Sequence, residues 1–164
     1  MMKDDFCKRQ ITNRLMEKKR EWYEKTIVHT TSAGTQGIAN AENATEILGA
    51  SLLNAKATAE YIKRCNPDNV SLVCMGLEAK KPTDEDTLCA EYIKSVLEEK
   101  EEDITEKIEN LKLTSGAKFF DKTQNDAFPQ EDFYMCTQLN KFNFVLRLKH
   151  NSDDFDYMEK VIIQ

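Results

Sequence analysis

The sequence predicts an α/β fold with a largely parallel sheet. Two observations carry that expectation. Short apolar runs of strand length occupy residues 26–30 and 70–75, and each is followed by a stretch with helical periodicity and its own start signal. Strands that alternate with helices pack as a sheet covered by those helices.

Taken in order, residues 8–24 are highly charged, with Ile11, Leu15 and Trp22 at helical intervals, and read as an amphipathic helix with a thin apolar seam. Residues 26–30 are a β-branched strand, and residues 36–43 the helix after it. A second short strand falls at 46–48. Residues 54–65 carry Ala55, Ala57, Ala59, Tyr61 and Ile62 and form a helix that the Asn66-Pro67 breaker closes. Residues 70–75 have the continuous apolar character of a buried strand, which Gly76 ends. Thr83 then stands as an N-cap, with Asp86 at the capping-box position and Leu88, Ala90, Ile93 and Leu97 behind it. The Glu- and Lys-rich residues 98–113 continue as helix with a solvated face. Residues 129–139 are a further helix and 143–149 a strand, and the acidic tail beyond is less decided.

At 164 residues, with 40% hydrophobic and 32% charged composition, the chain suits one domain spanning residues 1–164. A net charge of -6 and a pI near 5.1 argue against nucleic acid or an anionic membrane as partner, since both require a clustered basic face. The five cysteines, Cys7, Cys65, Cys74, Cys89 and Cys136, are odd in number and irregularly spaced, which suits reduced thiols and a cytoplasmic location. The first residues lack the apolar core of a signal peptide, and no apolar run reaches the length of a membrane span.

In an open α/β sheet, ligands bind at the carboxyl ends of the strands. There the sequence places two loops, the small and hydroxyl-rich turn Thr30-Thr31-Ser32-Ala33-Gly34-Thr35 and residues 76–86. The turn feeds a helix N-terminus, so its amides, hydroxyls and helix dipole suit a phosphate or sulfonate oxygen. The same residues also suit plain helix capping. They do not form the nucleotide P-loop, because neither Gly34 nor Gly37 belongs to a Gly-x-x-x-x-Gly-Lys pattern. Asp84, Glu85 and Asp86 are the acids beside the second strand end, and carboxylates are the ligands that Mg²⁺ takes. Acids in a first helical turn also complement the macrodipole without any metal. The string DEDTL lacks the Asp-x-Asp-x-Thr order of the aspartyl-phosphate phosphatases. His29 ends the first strand and suits a general acid or base, though a lone histidine there is more often structural; His150 lies near the acidic tail with no evident partner, and Cys74 and Cys89 read as core thiols.

Five blocks, IVHTTSAGTQGIANA, SLLNAKATAEYI, VSLVCMGLE, TDEDTLCAEYIKSVL and EDFYMCTQLNKFNFV, resemble in wording and order the carboxy-terminal part of the 2-phosphosulfolactate phosphatase family. The resemblance covers most of residues 26–148. It implies a three-layer α/β/α fold with a mostly parallel or mixed sheet, and Mg²⁺-dependent hydrolysis of a phosphate monoester such as 2-phospho-3-sulfolactate, a step of coenzyme M biosynthesis. The family's Thr-Thr-Asn-Gly-Thr turn maps onto Thr30, Thr31, Ala33, Gly34 and Thr35 with Ser32 among them, and its Glu-Asp-Thr-Leu-Cys-Ala onto residues 85–90. Asp86 and Glu85 are then the expected catalytic and metal-holding acids, with Thr30, Thr31, Ser32, Gly34 and Thr35 around the small phosphorylated organic acid.

Family members are longer. Their amino-terminal Asp-Val-x-Arg-Ala and Gly-Gly-Glu-Arg segments have no counterpart here, and their Gly-Asn-Ser-Pro stretch has at most a remnant around Asn13. The alternative expectation is therefore a non-catalytic anion-binding or assembly domain that has lost the family's amino-terminal half. Half of a sheet exposes a strand edge and an apolar face, so the chain is expected to form a homo-oligomer or to take an amino-terminal partner chain.

Overall fold

The computed structural model describes residues 28, 31, 33–124, 126–150 and 155–164. The expected helix at 8–24, nearly all of the strand at 26–30, and Cys7, Asn13, His29, Thr30 and Ser32 lie outside the described residues.

The described elements are α1 (Gly34–Asn40), β1 (Leu48–Gly49), α2 (Ala55–Cys65), α3 (Asp84–Leu97), α4 (Thr105–Asn110), α5 (Gln130–Cys136), β2 (Phe144–His150) and β3 (Asp156–Ile162). The strands form one sheet in the order β1-β2-β3, antiparallel throughout, with Leu48 opposite Arg147 and Val145 opposite Val161. The β2–β3 hairpin is legible only on its first side in the sequence. β3 mixes Asp156, Glu159 and Lys160 with its apolar residues, so neither alternation nor apolar run marks it.

Helix α2 lies between the sheet and α3, and its alanines allow this. Ala55 and Ala59, four residues apart, belong to the main core with Leu88, Cys89, Tyr92, Ile93 and Val96 of α3, whereas Ala57 joins Val145 and Ile163 at the sheet. All three alanines are buried, so the helix presents no bulk to either neighbour. It ends where expected: Asn66 takes the left-handed conformation at φ 46°, and its N–H closes on the Ile62 carbonyl at 2.9 Å.

Its start is fixed by one buried side chain. Asn54, only 4% exposed, accepts the Ser51 N–H on Oδ1 at 2.9 Å. Its Nδ2 donates to the carbonyls of Gly49 and Phe144, each at 3.3 Å. One carboxamide thus joins the end of β1, the start of β2 and the first turn of α2. A second network joins α2 to α3. Asn140 accepts the Lys56 N–H at 2.9 Å and donates to the Tyr92 hydroxyl at 2.7 Å, and that hydroxyl donates to Glu101 at 2.9 Å. Hydrogen bonds from Lys56 and then Tyr92 hold the Glu101 carboxyl below its ordinary range.

Two expected elements differ. The helix expected across 98–113 breaks, because Glu99 turns left-handed at φ 60° and the Lys100 N–H closes on the Ser95 carbonyl at 2.8 Å. The chain restarts as α4 at an Asp103 cap, whose Oδ1 accepts the Thr105 N–H at 2.9 Å. The break returns Ile104, Ile108 and Leu111 to the core, which one straight helix carrying five acids between 98 and 103 would not do. Residues 70–75, expected as a buried strand, pair with no described strand, and Val73 is 73% exposed. Among the described residues no helix is long and apolar enough to cross a membrane.

Asn54→Ala removes every side-chain bond at the junction of β1, β2 and α2 and leaves two carbonyls to find other partners. It should lower the unfolding free energy by about 2 kcal/mol, read as a reduced urea midpoint with an unchanged m value.

Candidate active site

The site is built where α1 and α3 begin. In the turn before α1, the Thr35 N–H donates to Thr31 Oγ1 at 3.2 Å and the Thr35 hydroxyl donates to the Thr31 carbonyl at 2.5 Å. The Thr35 hydroxyl proton is thus taken up within the turn, whereas the Thr31 hydroxyl only accepts and keeps its own proton to donate, alongside the backbone amides and the dipole of α1. A side chain at Gly34 would press its Cβ to 3.0 Å from Thr31 Oγ1, which explains a glycine in this tight turn.

Gly37, one turn further along α1, lies against Met75, and a Cβ there would overlap the methionine sulfur. The contact places the end of the 70–75 segment beside α1. The next residue, Gly76, is left-handed at φ 61°, and any side chain there would collide with the Lys81 carbonyl. Residues 76–81 fold back as a tight loop in which the Leu77 N–H donates to the Lys81 carbonyl at 2.8 Å, with Glu78 and Ala79 both left-handed. The loop carries Lys80 and Lys81 past the start of α3.

Asp86 closes this loop. Its Oδ2 accepts the Gly76 N–H at 2.6 Å, while the Cys74 thiol donates to its carbonyl at 3.4 Å. The capping-box bond expected of Asp86 is thus replaced by a longer-range one. Thr83 does occupy the N-cap position, extended at φ -125° and ψ 147°, but makes no capping bond. Its Oγ1 and Glu85 Oε2 are buried with no hydrogen-bond partner among the described residues. Two orphaned oxygens at the head of a helix, one of them a carboxylate, constitute an unmet demand for a proton or a cation.

The structure thus links α1, which follows the Thr31–Thr35 turn, to the loop that Asp86 holds, through Gly37–Met75 and Gly76–Asp86. Thr30 and Ser32 lie outside the described residues. Sequence reasoning missed Met75 as the spacer and Gly76 as the donor to Asp86; the glycine directly after an apolar run was the available signal. Among the described residues no group of three or more His, Cys, Asp or Glu side chains could hold a metal ion, so a cation here would rest on Glu85 and Asp86 with water or substrate completing its shell.

The other candidates fall away from this site. His150 Nδ1 lies 2.5 Å from Asp156 Oδ1 across the β2–β3 pair. Burial first, then the charges of Asp86 and Cys74, pushes the Cys89 thiol up to about 12, and burial likewise raises Cys74. Neither is an activated thiolate. Cys89 is the core thiol the sequence suggests, whereas Cys74 is exposed.

A family model described as 2-phosphosulpholactate phosphatase matches residues 10–151. A probable 2-phosphosulfolactate phosphatase of Caldicellulosiruptor saccharolyticus is 39% identical over 135 residues, which are 79% of this chain and 54% of that protein. Proteins described by the same words in Bacillus subtilis and in Caldanaerobacter subterraneus are 32% and 31% identical, over 85% and 80% of this chain and 60% of their own lengths. No solved structure matches the chain. The chain belongs to the 2-phosphosulfolactate phosphatase family, and it spans 54–60% of the length of these curated relatives.

Gly76→Ala should open the loop, since its clash is with backbone. We expect a loss of about 2 kcal/mol or more and faster tryptic cleavage after Lys80 in the folded protein, the Lys81-Pro82 bond being resistant to trypsin. Gly37→Ala meets only the flexible end of Met75 and should cost less than half as much.

Proposed function

We propose that this chain carries the phosphate-binding and cation-binding part of a phosphatase site acting on a small phosphorylated organic acid. The observation that supports the reading above all is the head of α3, where Glu85 Oε2 and Thr83 Oγ1 are buried and unpartnered among the described residues and Asp86 holds the loop whose neighbour Met75 rests on α1. Family membership and the names of the relatives support 2-phosphosulfolactate as the ester; coenzyme M biosynthesis in the cytoplasm is the setting we propose for it.

Glu85 and Asp86 would hold a Mg²⁺ ion, consistent with one orphaned oxygen on Glu85 and the second oxygen of Asp86, which has no partner among the described residues. When bound, the ion supplies charge compensation for the phosphate and activates water. The remaining work belongs to the chain. Amides of the turn at 30–35 would orient the phosphate oxygens. Asp86 would hold the 76–81 loop in place through Gly76, so that its lysines stand near a dianion. Hydrolysis breaks the bond between phosphorus and the ester oxygen; water adds to phosphorus, and its proton passes to the departing alkoxide. The three-layer arrangement of the family, with a mixed or parallel sheet, is proposed for the assembled protein, in which the antiparallel β1-β2-β3 unit would be one part.

Phosphate release from 2-phosphosulfolactate and from an aryl phosphate, with Mg²⁺ and with chelator, tests the reading. We expect Mg²⁺-dependent release that falls at least about 100-fold in Glu85→Gln, with a melting temperature equal to or above that of the parent because an orphaned buried carboxylate is neutralised. Release that ignores chelator, or a Glu85→Gln protein of full activity, would remove Glu85 and the metal from the mechanism.

A further inference from the structure

We infer that residues 70–75 are a docking strand for the portion of the family that this chain does not span. The segment Val70-Ser71-Leu72-Val73-Cys74-Met75 contains no charge, glycine or proline, and Pro67 and Gly76 bound it on either side. It has the composition of a strand covered on both faces. No backbone N–H or C=O within it is hydrogen-bonded to a described residue. It is nevertheless anchored: Leu72 packs on the main core, Met75 lies on Gly37, and the Cys74 thiol reaches the Asp86 carbonyl. Between and beyond these anchors, Val70 is 43%, Val73 73% and Leu77 57% exposed.

A held, uncharged, β-branched segment with open backbone groups is a template for strand addition. The edge of β3 contrasts with it, because Glu159 and Lys160 interrupt that strand with charge, as edges that stay single do. The occupant follows from length. The relatives share this chain's sequence over 54–60% of their own residues, and the rest of their chain must pack somewhere on this half. An apolar strand from that portion, hydrogen-bonded along 70–75, would cover Val70 and Val73. It would also end beside Gly76 and Asp86, bringing further groups to the head of α3. The inference rests on family membership and not on the proposed activity.

The test needs no turnover. The chain is refolded from urea together with a polypeptide comprising the part of the Caldicellulosiruptor relative that it does not span. Mass is read by sedimentation and amide exchange by mass spectrometry. The expected result is a one-to-one complex in which exchange across 70–75 slows roughly tenfold or more relative to the chain alone. Val73→Asp should abolish the complex, whereas Val73→Thr and Leu113→Asp, the latter at a residue 80% exposed elsewhere, should bind like the parent. Four results would overturn the inference: recovery of this chain by itself, a complex that leaves 70–75 exchanging freely, a Val73→Asp protein that still binds, or protection of 70–75 in the chain alone through self-association.

Discussion

The buried carboxamide of Asn54 sets the frame from which the site is suspended. By bonding Ser51, Gly49 and Phe144 together it fixes where α2 leaves the sheet. A helix whose buried face is alanine has little shape of its own to set its register, so its position must come from its end. The consequence travels outward. α2 seats α3 through the core that Ala55 and Ala59 share with Leu88, Cys89 and Ile93, and Asn140 locks the same pair through Lys56 and Tyr92. α3 in turn carries Asp86 to Gly76, and Met75 next to it meets α1 at Gly37. Each link is a bond or contact that ties one element or loop to the next, and the candidate site lies at the end of that series.

This explains what could be read in advance. The end of α2 and the start of α3 were legible because the Asn66-Pro67 breaker and the run Thr83-Asp84-Glu85-Asp86 mark a boundary within a few residues of sequence. β2 was legible from its own apolar run. The break at 98–104 was not, because composition favours helix there, while the need to bury Ile104 and Ile108 is a property of the packed core. Asp86 illustrates the limit at the site. Its place three residues after Thr83 suggests a capping box, yet its carboxylate reaches ten residues back to Gly76. The turn at 31–35 was readable as a cap or an anion cradle, and the mutual bonding of Thr31 and Thr35 shows that the turn itself takes the Thr35 hydroxyl proton and leaves that of Thr31.

Charge decides how such a site can work. The head of α3 carries Asp84, Glu85 and Asp86, and the molecule as a whole is acidic at -6. A phosphate dianion placed beside those carboxylates would be repelled at close range, by several kcal/mol at the effective dielectric of about 20 that applies near a protein surface. The helix dipole of α1 and the two lysines of the 76–81 loop offset only part of that, since lysines in solvent are screened. A divalent cation between the carboxylates and the phosphate reverses the sign of the interaction. It also supplies what the buried, unpartnered Glu85 Oε2 lacks. The acids that oppose substrate in the bare chain are the groups that would make binding strong once a cation is present.

The same reasoning links the site to the open segment beside it. Residues 70–75 end at Gly76, so whatever covers their backbone also borders the carboxylates. An exposed edge admits water to the site, and water weakens every electrostatic contact made there. A strand laid along 70–75 would exclude that water and fix Gly76 from its other side. Asp86 would then hold a loop anchored at both ends, and its carboxylate would be oriented before substrate arrives, which is the condition under which fixed charges assist a reaction. Completion of the sheet and completion of the site are in this view a single event, because the residue that ends the segment, Gly76, is the residue that Asp86 holds.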